Sequence, residues 1–252
     1  MKFNIYTTFF IFSLIGLMSS CSAKEIDSID TFPKPLMAQI DSTDNFYLYK
    51  PDTCIIDVVP QYRPDTLDNS IIFCAEAAFT GQIVDTFFYE NIAGDWVSHG
   101  EYHHGYACEA NCGGFILCKN GNWHFDNKEN YQATLKEDEN VWCAYEQHYV
   151  IENGEIHQPY LLKNSKRKTF YRALCESKDG ELMVATTKTE IPYHQFVQFL
   201  KDELQVRNAL YMDMGTGWNY SWYRNEDSSI TTLFPMAKLT PNQTNWLIFK
   251  AR

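Results

Sequence analysis

Asn208-Ala-Leu-Tyr-Met-Asp213-Met-Gly215-Thr-Gly217-Trp218 is the stretch on which the reading of this chain turns. Ala209 to Met212 is short and apolar, which predicts a buried strand. Asp213 follows at once, at the strand end where open sheets present ligand-binding groups. Gly215 and Gly217 let the backbone turn sharply and approach a ligand closely. A carboxylate beside such a loop can act as general acid or base, orient a hydroxyl or hold a cation. An Asp that only caps the turn would give the same spacing.

Upstream, Arg172 to Thr187 predicts two strands joined at Asp179-Gly180, a strong hairpin signal. Pro192 stands near a helix start. Phe196, Val197, Leu200 and Leu204 then fall at helical spacing, so a helix over Tyr193 to Leu204 packs one face on the sheet. Asn120-Gly121 and Asn153-Gly154 predict two more hairpins. Strands are expected at Phe46 to Tyr49 and Cys54 to Val59, on either side of Pro51-Asp52, and again at Ile71 to Cys74 and Asn245 to Phe249. Asn91 to His104 reads as a long loop over one end of the sheet. The expected fold class is α+β, a single domain over residues 32–252 with mixed β-sheets and few helices.

This order of elements resembles the phosphodiester glycosidase family, which includes the uncovering enzyme for mannose 6-phosphate tags. Members carry Leu-Asp-Gly-Gly-Gly-Ser where this chain has Met212-Asp213-Met214-Gly215-Thr216-Gly217, which keeps the Asp and two glycines. They carry Ala-Asn-Gly-Gly-Phe-Phe or similar near Ala75-Glu76-Ala77-Ala78-Phe79-Thr80, so Glu76 falls at the Asn position and would add a second carboxylate. Arg172 matches the Arg of an Arg-Ala pair, although members often place it one residue earlier, at Tyr171 here. A slip of one residue would turn the side chain to the other face. Gln147 resembles a polar residue that members place before a hairpin.

The resemblance implies a hydrolase of a glycosyl phosphodiester or related sugar-phosphate linkage. Asp213, Arg172 and Glu76 would form its catalytic set, and Gly215, Gly217, Gln147, Trp218 and Arg224 would hold substrate. A guanidinium fork suits phosphate. The aromatic run from Trp218 to Arg224 suits sugar rings, and strand core is its equally natural use. Neither a Gly-x-Ser-x-Gly elbow nor a P-loop pattern occurs. A non-catalytic glycan-binding protein on the same scaffold is the alternative, favoured by the altered glycine loop and by Glu76.

Residues 1–21 read as a targeting segment: Lys2, an apolar run from Phe9 to Met18, and Met18-Ser19-Ser20-Cys21 as a lipobox. A secretory signal cleaved elsewhere is the rival. Lipidation at Cys21 implies attachment to a membrane through acyl chains, with residues 22–31 as a tether and the domain in the cell envelope outside the cytoplasm. Beyond Lys2 the chain holds 20 basic against 32 acidic side chains, a balance that disfavours nucleic acid as a partner. Lys163, Lys166, Arg167 and Lys168 form the best local basic patch. Without Cys21, seven cysteines remain. Cys74 and Cys175 are expected to be buried. Cys108, Cys112 and Cys118 stand near His99, His103, His104 and His124 and raise a zinc reading. No Cys-x-x-Cys element supports it, so neither metal nor cofactor is expected.

Overall fold

Arg172–Ser177 and Leu182–Thr187 pair antiparallel, with Arg172 opposite Thr186 and Glu176 opposite Leu182. Gly180 turns between them at φ +82°, so the Asp-Gly hairpin forms as its sequence requires. A computed structural model describes residues 39–251, except 53, 109–110, 158–166 and 216. Cys21 and its lipobox, the tether, and Lys163 and Lys166 of the basic patch lie outside the described residues. Arg167 and Lys168 are exposed.

Numbering strands in chain order, this hairpin is β12 and β13. It lies inside a large sheet ordered β1 (Gln39–Ser42), β2 (Phe46–Lys50), β13, β12, β15 (Val206–Met212), β9 (Val141–Glu152), β5 (Trp96–Ser98) and β6 (Glu101–His103). Strands β7 (Cys112–Cys118) and β10 (Glu155–Ile156) also pair with β9, and β8 (Trp123–Asn127) pairs with β7. A second sheet runs β17 (Ile230–Phe234), β16 (Ser221–Arg224), β4 (Ile71–Glu76), β18 (Asn245–Lys250) and β3 (Ile55–Pro60). A small third sheet pairs β11 (Lys168–Thr169) with β14 (Ile191–Pro192).

The expected α+β class with mixed sheets is therefore corrected to a β-rich fold of three antiparallel sheets. The named strand pairs are all antiparallel. Parallel pairing needs a crossover of a dozen or more residues, usually a helix. Among the described residues only two α-helices occur, Lys128–Glu137 (α1) and Tyr193–Asp202 (α2). Tight turns dominate instead, and at Asn153-Gly154 both residues have positive φ, as a type I′ hairpin demands. The segment read as a long loop contains a further hairpin, β5–β6, turning at His99-Gly100 with φ of 50° and 82°. Strands β2 and β3 form on either side of Pro51-Asp52 but enter different sheets.

The two larger sheets meet over an aromatic core. Tyr49 stacks on Phe73 at 4.9 Å, Phe73 lies 4.8 Å from Phe249, and Leu174, Leu210 and Met212 join them. On the opposite face of the large sheet, α2 lays Tyr193, Phe196, Val197 and Leu200 against Ala173, Cys175, Ala209 and Tyr211. Helix α2 thus follows its apolar spacing. Helix α1 is only weakly amphipathic; it is capped by Asn127, which accepts from the Asn130 amide at 3.0 Å, and anchored by Tyr131. The Tyr131 ring fits because Gly114 lacks a side chain: a Cβ there would sit 1.9 Å from it.

Covered on both faces, β15 has every residue but Arg207 buried. Phe196 is the main anchor of the covering helix, stacked on Tyr171 at 4.9 Å with planes 14° apart. Phe196→Ala is expected to cost about 3–5 kcal/mol in urea unfolding. Exposed Gln195→Ala on the same helix should stay within about 0.5 kcal/mol.

Candidate functional site

Strand β15 ends at Met212, and the Asp213 amide donates to the Ala77 carbonyl at 2.9 Å. This bond joins the end of the large sheet to the segment that follows β4 in the second sheet. The two stretches read as pocket boxes, Ala75–Thr80 and Met212–Gly217, thereby meet. Asn245, at the start of β18, fixes the first of them: its side chain accepts from the Ala78 amide at 2.7 Å and donates to the Ala78 carbonyl at 2.9 Å.

Asp213 keeps 7% of its surface exposed. Burial raises its pKa to about 7, while the backbone amides of Gly215, Thr80 and Met214 and the charge of Arg172 pull the other way. Glu76 has no exposed surface. Burial first, and then the Asp213 charge, hold its pKa well above the usual carboxylate range. The Gln243 side-chain amide donates to one Glu76 oxygen, Oε2; the other, Oε1, has no protein partner.

Arg172 is also wholly buried. Its Nε donates to Thr186 Oγ1 at 3.1 Å and its Nη2 to Ser221 Oγ at 2.6 Å, while Nη1 has no partner. Burial lowers its pKa to about 10, which leaves it cationic at neutral pH. Ser221 belongs to β16, so Arg172 points between the two large sheets. Tyr171 points the other way, onto α2. The register thus puts the guanidinium on the side where its charge reaches both Asp213 and Glu76.

Gly215 and Trp218 form an isolated antiparallel bridge across the following turn. A Cβ on Gly215 would lie 3.0 Å from Trp218 Cδ1 and 3.7 Å from Asp213 Oδ1, so the bare glycine lets ring and carboxylate share the loop. Trp218 is half-buried, and Gly217 turns at φ +90°. The rest of the aromatic run serves as core: Trp222 has no exposed surface, Tyr220 packs edge-on to Trp246, and Tyr223 tilts against Tyr49.

Of the residues expected to hold substrate, Arg224 is used elsewhere. Arg224 uses its guanidinium on four backbone carbonyls, those of Ile71, Ser228, Thr66 and Asp68, which makes it a tie within the framework. Gln147 lies on β9 opposite Gly113; it accepts from the His148 amide at 2.8 Å, and its Nε2 has no partner. Sequence reasoning missed Tyr106, Gln243 and Asn245. Burial and the Asp213 charge raise the Tyr106 pKa to about 12, which marks it as a neighbour of that carboxylate. The only local signal for the other two is the polar run Gln243-Thr244-Asn245 directly before an apolar strand.

No family model and no curated protein matches this chain. Among solved structures, the fold is similar to that of a glycosidase catalytic domain. That domain belongs to zebrafish N-acetylglucosamine-1-phosphodiester alpha-N-acetylglucosaminidase, auto-inhibited by its pro-peptide. The TM-score is 0.59 at 14% identity, covering 85% of this chain and 81% of the other, and at that identity the likeness shows a shared fold. A hypothetical protein from Synechocystis is similar at a TM-score of 0.41 and 9% identity over 84% of this chain and 61% of the other, too weakly to carry an argument.

The raised pKa of Asp213 has a stability consequence. The unfolded carboxyl ionises near pH 4 and the folded one near 7. The stability its protonated form contributes is full below pH 4 and is lost as pH rises through 7. Asp213→Asn cannot ionise, so melting curves from pH 4 to 8 should show the variant gaining on the wild type by several degrees up to about pH 7, then levelling. A constant difference across that range would contradict the assignment.

Proposed function

We propose that this chain is a hydrolase of glycosyl phosphodiesters or a related sugar-phosphate linkage, and that Asp213 is its reacting group. The observation that carries the proposal is the state of Asp213: a strand-end carboxylate with a small exposed surface, flanked by three backbone amides and with a pKa of about 7. A group poised there can give or take a proton at neutral pH. The shared fold with a phosphodiester glycosidase catalytic domain supports the same reading.

Glu76 and Arg172 act behind Asp213. Neither has exposed surface, so Arg172 would bias the Asp213 charge rather than grip phosphate in this conformation, and the burial of Glu76, which favours its neutral form, would limit the negative charge in the pocket. Trp218, half-buried beside Gly215, would stack on a sugar ring. The Met18-Ser19-Ser20-Cys21 motif supports a lipid-anchored protein whose domain lies in the cell envelope. Among the described residues no helix is long and apolar enough to cross a membrane.

A second reading, a glycan-binding protein without turnover, is favoured by the same complete burial of Arg172 and Glu76. A panel of glycosyl phosphodiesters offered to the protein beginning after Cys21 separates the two. Turnover is expected, with kcat reduced by about 10²-fold or more in Asp213→Asn and a limb near pH 7 in kcat/KM. Binding of glycans without turnover, unchanged by Asp213→Asn, would leave the binding reading.

A further inference from the structure

Cys112 opens β7, and His148 is its register partner on β9. Their Sγ and Nδ1 atoms lie 3.5 Å apart. Cys108 precedes β7 in the loop and is joined to Cys112 as a disulfide. The three donor atoms lie within 4.8 Å of one another. The Phe79 ring lies 5.6 Å from His148 and 5.6 Å from Tyr211, so the cluster borders the strand that ends at Met212, just before Asp213.

We propose that Cys108, Cys112 and His148 form a three-ligand site for a borderline-soft divalent cation, zinc above all, which the disulfide closes and a dithiol reductant opens. Tetrahedral zinc has Zn–S near 2.3 Å and Zn–N near 2.0–2.1 Å, which sets sulfur and nitrogen about 3.5 Å apart. Cys112 and His148 already hold that separation, and each is fixed by strand pairing and burial. Cys108 supplies the movable ligand. It is only partly buried, and its carbonyl is held by Lys128 Nζ at 2.6 Å, which keeps Cys108 near the site when the sulfurs part. Two zinc-bound thiolates sit about 3.8 Å apart, so the Cys108 sulfur needs to move by less than the length of one residue.

The chemistry balances. The dithiol gives two electrons and two protons to the protein disulfide and becomes a disulfide itself; the two protein thiols then lose their protons to solvent as two metal–sulfur bonds form. Two thiolates and one neutral imidazole around a divalent cation leave a neutral complex with the fourth position open to water. A ring closed by only five residues constrains the unfolded chain less than a longer one would, and a staple alone leaves the adjoining buried histidine without a role. The inference does not depend on the hydrolase reading.

The test uses Co²⁺ as a spectroscopic probe on the protein beginning after Cys21. The protein is reduced with a phosphine, which ends as its oxide, and desalted without oxygen. Expected are two more titratable thiols than in the oxidised protein and one equivalent of Co²⁺ bound with thiolate-to-cobalt absorption. Zinc should displace the cobalt, and binding should vanish on reoxidation. Cys112→Ser should abolish the absorption, and His148→Ala should weaken binding by more than about tenfold. Cys108→Ser, in the loop, tests the site where the buried variants fail to fold. A disulfide that resists reduction in the folded protein would overturn the proposal. So would a reduced protein with both thiols free that binds no cobalt, or cobalt absorption unchanged by Cys108→Ser.

Discussion

A guanidinium with no exposed surface lies between the two large sheets, and much of the pocket's arrangement answers to it. Placing a cation there is costly unless opposite charge and hydrogen-bond partners are close. Thr186 and Ser221 supply the hydrogen bonds, one from each sheet. Asp213 supplies the charge, from the end of the strand paired with β12. Burial favours the neutral form of both carboxylates; the Asp213 charge raises the Glu76 pKa further, and Asp213 itself is left near its midpoint at neutral pH. The same constraint couples the sheets, since Arg172, Ser221, Glu76 and Asp213 come from four different strands or strand ends.

The parts of this arrangement readable from sequence are those that depend on neighbours along the chain. Asp179-Gly180, Asn120-Gly121 and Asn153-Gly154 each turn a hairpin, because the required positive φ values are properties of the residues in the turn. Helix α2 forms where its apolar spacing puts it, and Asp213 stands at a strand end. Sheet membership was not readable in this way. Strands β2 and β3, separated by a short turn, part into different sheets because each finds its partners far along the chain. The expectation of mixed sheets gave too little weight to the legible hairpins, which already implied antiparallel pairing.

At the site, the residues that sequence singled out divide by what surrounds them. Asp213, Glu76 and Arg172 come together, and Trp218 and Gly215 border them. Arg224 looked like a phosphate ligand because of its guanidinium, yet four carbonyls left by irregular backbone near Thr66 to Ile71 and at Ser228 occupy it. Asn245 and Gln243 escaped notice because their partners, Ala78 and Glu76, lie at the far end of the chain. No local pattern marks a residue whose work is done across such a separation.

The position of β18 has a consequence for how the molecule is made. This strand comes long after its neighbours in sequence, yet it lies inside its sheet, hydrogen-bonded to β3 on one side and β4 on the other. Those two strands are synthesised first and stay without their shared partner while all the strands between are made. The nascent chain therefore carries two apolar strands in waiting, open to wrong pairings over that stretch, and the second sheet closes as a late event. Removing β18 would take out the middle of a sheet rather than its fringe.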